Sequence, residues 1–229
     1  MEKVLDNPTY HAMMSGNKNL SLGSDTARYF PEEISPFVGM ADFSVERFAE
    51  LTEVLPAVRR GAVAVVSPEE IVIPAGWKVN YHGVGLQMMG EDAHGPALDQ
   101  WEFAPLEAKH VSMMVDLAKL TNPGPFGKRT IEFGGFVGVF DGDRLMAMSG
   151  HRLHPSPYIE ISGVCTHPDY VGRGLGGALT YFQVERIREM GEIPILHVWA
   201  DNARAIRLYE NLGFVVRRQL HFNLIQLIS

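Results

Sequence analysis

VCTHPDYVGRGLGG, residues 164–177, runs from a short β-branched strand through Pro168 into a glycine-rich turn that opens a helix. Such a turn is suited to hold a pyrophosphate. Gly172, Gly174, Gly176 and Gly177 remove side chains where backbone must approach a ligand. The first helical turn aims unpaired N–H groups and the positive end of its dipole at the same point. Arg173 adds a forked cation for phosphate oxygens. Glycine turns also serve nucleoside triphosphates and dinucleotides, so the neighbours must discriminate. A P-loop needs Lys and then Ser or Thr after its last glycine, whereas Gly176 is followed by Gly177 and Ala178. A Rossmann unit needs an acidic residue closing a second strand about 20 residues on, and Asp201 comes too late.

Downstream, the pattern predicts a helix from about Gly174 to Met190 and a strand from Ile193 to Trp199. Asp201 and Asn202 then stand as cap residues before a helix with Ala205, Leu208, Tyr209 and Leu212 on one face, closed by Gly213. This order, with NARAIRLYENLGF (residues 202–214) behind the glycine turn, resembles the GNAT superfamily of acetyl-CoA-dependent N-acetyltransferases. The resemblance is strongest over 158–222 and reaches back to about Tyr81. Val171 stands where the family turn begins with Arg or Gln; the rest, Val171-Gly172-Arg173-Gly174-Leu175-Gly176, follows the family spacing. The resemblance implies an α/β (α+β) fold with a mixed, mostly antiparallel, twisted sheet flanked by helices. Acetyl-CoA is the implied co-substrate. Its binding residues would be Val164, Cys165 and Thr166 along the pantetheine arm, Val171 to Gly177 at the pyrophosphate, and Asn202.

Acetyl transfer from a thioester requires a neutral amine, stabilisation of the carbonyl oxygen, and a proton or hydrogen bond for the departing thiolate. Tyr209 suits the last role, and the resemblance puts a catalytic Tyr at this point of the motif. Two strand residues are candidate bases. Glu160, between Ile159 and Ile161, is expected to have a carboxyl pKa raised by burial; His197 carries an imidazole that titrates near neutrality. Water remains the third choice. A bulge at Gly163 would free the N–H groups of Val164 to Thr166 for the carbonyl oxygen. Cys165 lacks a His-assisted setting and reads as a small buried hydrophobe rather than a nucleophile. His151 and His154 lack further ligands at metal spacing, so no metal is expected; His82, His94, His110 and His221 receive no role.

Upstream, residues 1–80 read as a small N-terminal α/β extension. It holds an amphipathic helix near Ser44 to Leu55 and a strand from Ala62 to Val66, with Ile71 to Lys78 as the boundary. The acetyltransferase domain, 81–229, begins with a strand at Val84 to Met89 and a helix over Pro105 to Leu120. A breaker-rich loop follows at Thr121 to Lys128. Ile131 to Phe140 and Arg144 to Gly150 form a hairpin across Asp141-Gly142 with a type I′ turn, and Val215 to Leu227 forms two short strands parted near Arg217 to Gln219.

The 229 residues carry a net charge of −7, which argues against general nucleic-acid binding. The lone Cys165 fits a reducing compartment, and no apolar run is long enough for a signal core or membrane span, so a cytoplasmic location is expected. A homodimer is left open. The expected activity is direct transfer of acetyl from acetyl-CoA to a primary amine, first a small amine or amino-acid-like acceptor. A peptide N-terminus or protein lysine is the alternative. From another class, a non-catalytic acyl-CoA sensor would leave Glu160, His197 and Tyr209 structural.

Overall fold

The computed structural model describes residues 2–56 and 61–228. Among the described residues eleven strands form two sheets. A small one joins β1 (Leu22–Gly23), β2 (Ala27–Tyr29) and β3 (Val38–Met40) in that order. The large one contains β4 (Val63–Ser67), β5 (Trp77–Met89), β6 (Ala104–Pro105), β7 (Val137–Asp141), β8 (Arg144–His151), β9 (Tyr158–Thr166), β10 (Ile193–Trp199) and β11 (Val215–Leu227). Its order is β4-β11-β5-β10-β9-β8-β7-β6, antiparallel except for the β9–β10 pair. This is the mixed, mostly antiparallel sheet expected from the sequence. The division expected at 80/81 falls inside β5, a 13-residue strand bonded to β10 on one side and β11 on the other.

Helices cover both faces. Alternation along β4 sends Val63 and Val65 to α2 (Val45–Val54), where they meet Phe48 and Leu51. Ala64 and Val66 face the other way, against Ala12 and Met13 of α1 (Pro8–Met14). Ser44 caps α2 by accepting from the Arg47 N–H. On the α2 side of the sheet, α4 (Leu175–Glu189) and α5 (Ala203–Asn211) pack Val184, Ile187 and Ile206 over Ile159, Ile161, Leu196 and Val198. Met114 and Leu117 of α3 (Val111–Thr121) pack against Met148 and Cys165 on the opposite face.

Several expected boundaries move for local reasons. Pro105 pairs within β6, so the helix expected from Pro105 starts as a 3-10 turn at Ala108–His110 and becomes α-helical at Val111. The strand expected from Ile131 begins at Val137, because Gly134 (φ 86°) and Gly135 (φ 70°) turn the chain after a 3-10 segment at Thr130–Phe133. In the hairpin, Asp141 pairs with Arg144, so the two loop residues are Gly142 and Asp143. Of these only Gly142 has positive φ (57°), whereas a type I′ turn requires it at both. The C-terminal segment is one continuous strand whose register shifts between Val216 and Arg218, a bulge at Arg217 in place of a break.

Candidate active site

The glycine turn ends at Gly174, the left-handed residue (φ 81°) that caps α4. Gly172 is likewise left-handed (φ 89°), so at both positions the backbone conformation itself calls for glycine. Gly176 and Gly177 are under no such demand. A Cβ there would meet Leu208 of α5 at 3.6 and 3.4 Å, ordinary packing distances. Arg173 lies over the Tyr170 ring, 4.9 Å from its centroid. Leu175, Gly176 and Gly177 begin the 15-residue α4, so their N–H groups lack intrahelical acceptors and face the turn.

Beside the turn the sheet opens. β9 pairs with β10 only from Tyr158 to Glu160; beyond that the two parallel strands separate. The β8–β9 register shifts between Met148↔Cys165 and Gly150↔Ser162, with Gly163 at φ 63°, so the expected bulge lies just before Val164. A cleft of about 480 Å3 fills the opening. Val164, Cys165, Thr166 and Val171 border it on one side, and Val198 and Trp199 on the other. Asn202 and Tyr209 line it from α5. Asn202 caps α5, its Oδ1 accepting from the Ala205 N–H at 3.1 Å, so its Nδ2 takes no part in the cap. Burial pushes the Tyr209 phenol up to about 12 and the Cys165 thiol up to about 12. The thiol therefore stays protonated and is a poor nucleophile, as its sequence setting suggests.

Below the cleft runs a row of buried polar groups. Glu160 is fully buried and chelated by Arg152, whose Nε and Nη2 donate to Oε2 and Oε1 at 3.0 and 2.5 Å. The Leu153 N–H donates to Oε2, and His197 Nδ1 lies 2.7 Å from Oε1. Burial raises the Glu160 carboxyl, but the charges of Arg152 and His197 and their hydrogen bonds outweigh it and hold it far below the usual carboxylate range. The raised pKa expected from burial is thus reversed. Glu160 is a carboxylate anchor with its oxygens taken up by Arg152, Leu153 and His197, while His197 and Arg152 do border the cleft.

The row continues across β5. Arg217 Nη1 donates to Gln87 Oε1 at 2.9 Å, and Gln87 Nε2 donates to the Leu5 carbonyl at 3.0 Å. These two contacts fix the amide orientation, so the remaining Gln87 N–H points at His197 Nε2, 3.1 Å away. His197 consequently carries its proton on Nδ1, toward Glu160, and keeps the Nε2 lone pair. Asp6 closes the row by accepting from Arg217 Nη2 and Arg218 Nη1, both at 2.8 Å.

Arg152 and Gln87 escaped the sequence reading. One signal was available: a carboxylate between two core isoleucines on a strand needs a buried cation, and Arg152 lies in the segment folding back onto β9. HRLHP drew attention instead to its histidines. His151 contacts Gln183, and His154 contacts Glu192. Among the described residues no group of three or more His, Cys, Asp or Glu is placed to hold a metal. The N-terminal part also contributes, since Pro36, Phe37 and Ala64 line the cleft opposite α5, joined by Thr121 to Pro125.

Residues 136–222 match the family described as FR47-like protein. A crystal structure of a GNAT-family protein from Novosphingobium aromaticivorans superposes with a TM-score of 0.87 at 33% identity, covering 98% of this chain and 99% of that one. A GCN5-related N-acetyltransferase from Kribbella flavida shares the fold, with a TM-score of 0.67 at 15% identity over 96% of this chain and 95% of its own. Mycothiol acetyltransferase from Thermomonospora curvata is 37% identical over 81 residues, 34% of this chain. The match spans 27% of that curated relative's length.

Proposed function

Because the chain belongs to the GNAT family, we propose that it transfers acetyl from acetyl-CoA to a primary amine by direct attack in a ternary complex. One observation carries the reading: the separated strands, Tyr209 and His197 border one cleft. The left-handed glycines and free α4 N–H groups suit a pyrophosphate. Beyond Glu160, β9 backbone without a β10 partner suits a pantetheine arm, with Asn202 Nδ2 beside it. The thioester co-substrate supplies the acyl group.

His197 is the base in this reading. Its Nε2 lone pair, guarded by the Gln87 N–H, takes the amine proton when Gln87 releases it, while the Glu160 carboxylate lies beside the ring that gains the charge. The Val164 and Thr166 N–H groups, on the edge of β9 turned away from β8, face the carbonyl oxygen as it becomes negative. With its phenol pushed up to about 12, against roughly 8.5 for an ordinary thiol, Tyr209 is too weak an acid to surrender its proton outright. It serves by donating a hydrogen bond to the departing thiolate. The walls from Pro36, Phe37 and the 121–125 loop favour a small acceptor over a protein lysine.

Thermal protection and thiol release test this. CoA and acetyl-CoA should raise the melting temperature, NAD and ATP should not, and a primary amine should trigger CoA release from acetyl-CoA. Equal protection by ATP would overturn the phosphate-site assignment.

A further inference from the structure

From His197 outward, three aromatic rings continue the line of the cleft. The His197 ring meets Phe222 edge-on at 6.0 Å, Phe222 meets Trp199 at 5.2 Å, and Trp199 meets Tyr81 at 5.9 Å. All four residues border the cleft. Trp199 is 41% exposed and Tyr81 52%, so the line leads from the buried imidazole to solvent. β5 is cleared beneath it. A Cβ at Gly85 would stand 2.7 Å from the Phe222 ring, and one at Gly83 would stand 2.6 Å from the Tyr81 hydroxyl and 2.9 Å from Trp199. Two glycines on one strand face thus let three rings settle onto the sheet.

Charge narrows the occupant. Among the described residues bordering the cleft none is Asp or Glu, and the cations are Arg152, already paired with Glu160, and Arg204. An acceptor with a second ammonium would lose hydration there and find no counter-charge. A single ammonium can pass the ring faces by cation–π attraction before yielding its proton at His197. An aromatic body gains edge-to-face contacts along the same track. We propose that Phe222, Trp199 and Tyr81 form the acceptor subsite and select an arylalkyl monoamine against polyamines and small aliphatic amines. This rests on the acetyltransferase reading above.

The test compares phenethylamine, ethylamine and spermidine as acceptors in acetyl-CoA-dependent thiol release. Phenethylamine should exceed ethylamine in kcat/KM by at least about tenfold, since burying a phenyl group is worth that or more, and spermidine should be slowest. Tyr81→Ala, at a half-exposed site that folding tolerates, should raise KM for phenethylamine roughly tenfold, more than it changes kcat, with thermal protection by CoA retained. Gly83→Ala, which displaces the rings from below, should act in the same direction. Preference for ethylamine or spermidine, or an unchanged KM in both variants, would overturn the subsite. So would absence of thiol release with all three amines while CoA still protects. Loss of CoA protection in the unaltered protein would instead overturn the acetyltransferase reading itself.

Discussion

The glycine turn and the buried polar row adjoin the same strand, β9, but are built on opposite plans. The turn is made of backbone supplied by one continuous segment, with two left-handed glycines and a helix start, and little of it depends on the rest of the chain. The row is made of side chains from Asp6, Gln87, Arg152, Glu160, His197 and Arg217, gathered from five strands or their flanks and the N-terminal turn. A backbone site can be damaged locally and leave the fold standing. A buried side-chain row cannot lose a member without stranding its neighbours.

That contrast can be broken by measurement. The largest effect is expected for Glu160→Gln, which leaves the Arg152 guanidinium buried without its counter-charge and should lower unfolding free energy by about 3–5 kcal/mol. A loss under about 1 kcal/mol in denaturant titration would mean the row is not the structural anchor described. Next comes acid. Burial, with Arg186 nearby, lowers the His151 imidazole to about 4, so the unfolded chain takes up that proton first as pH falls. Stability from this group is complete above about 6.5 and is lost on the way down to about 4, roughly 3 kcal/mol in all. His151→Gln should flatten that part of the stability profile, and an unchanged profile would assign the acid sensitivity elsewhere.

Tyr209→Phe should reduce kcat by about a hundredfold, the usual cost of one lost donor to developing negative charge, while CoA protection persists. Unaltered turnover would make Tyr209 a packing residue. Smaller again, Gly174→Val should weaken CoA binding by at least about tenfold through its strained positive φ and the displaced helix start. Gly176→Ala provides the contrast, because its new Cβ meets only Leu208 at a normal distance. Near-identical CoA affinity for these two variants would erase the distinction drawn between the glycines.

The same contrast explains what could be read from residues alone. The turn, the strand at Ile193–Trp199, the cap at Asn202 and the helix bearing Tyr209 are each encoded within a few residues, so periodicity and glycine placement reveal them. Glu160 and His197 were visible as candidates, but their states were not. Whether a buried carboxylate is neutral or ionised depends on Arg152 in an adjacent segment, and the His197 tautomer depends on Gln87, which Arg217 and the Leu5 carbonyl orient. Sheet order was hidden for a like reason, since nothing in Trp77–Met89 states which strands will flank it.

The place of β11 has a consequence for how the molecule is made. Its partners β4 and β5 are neighbours in sequence, yet β11 lies between them, with Leu227 opposite Trp77 and Phe222 opposite both Val66 and Gly83. On a translating ribosome, β4 and β5 emerge long before residues 215–227 exist, and until then each presents an open edge to whatever is near. Completing the large sheet is therefore a late, long-range event. Nascent chains stalled before residue 215 should bind holdase chaperones and aggregate, and release of the full segment should end both.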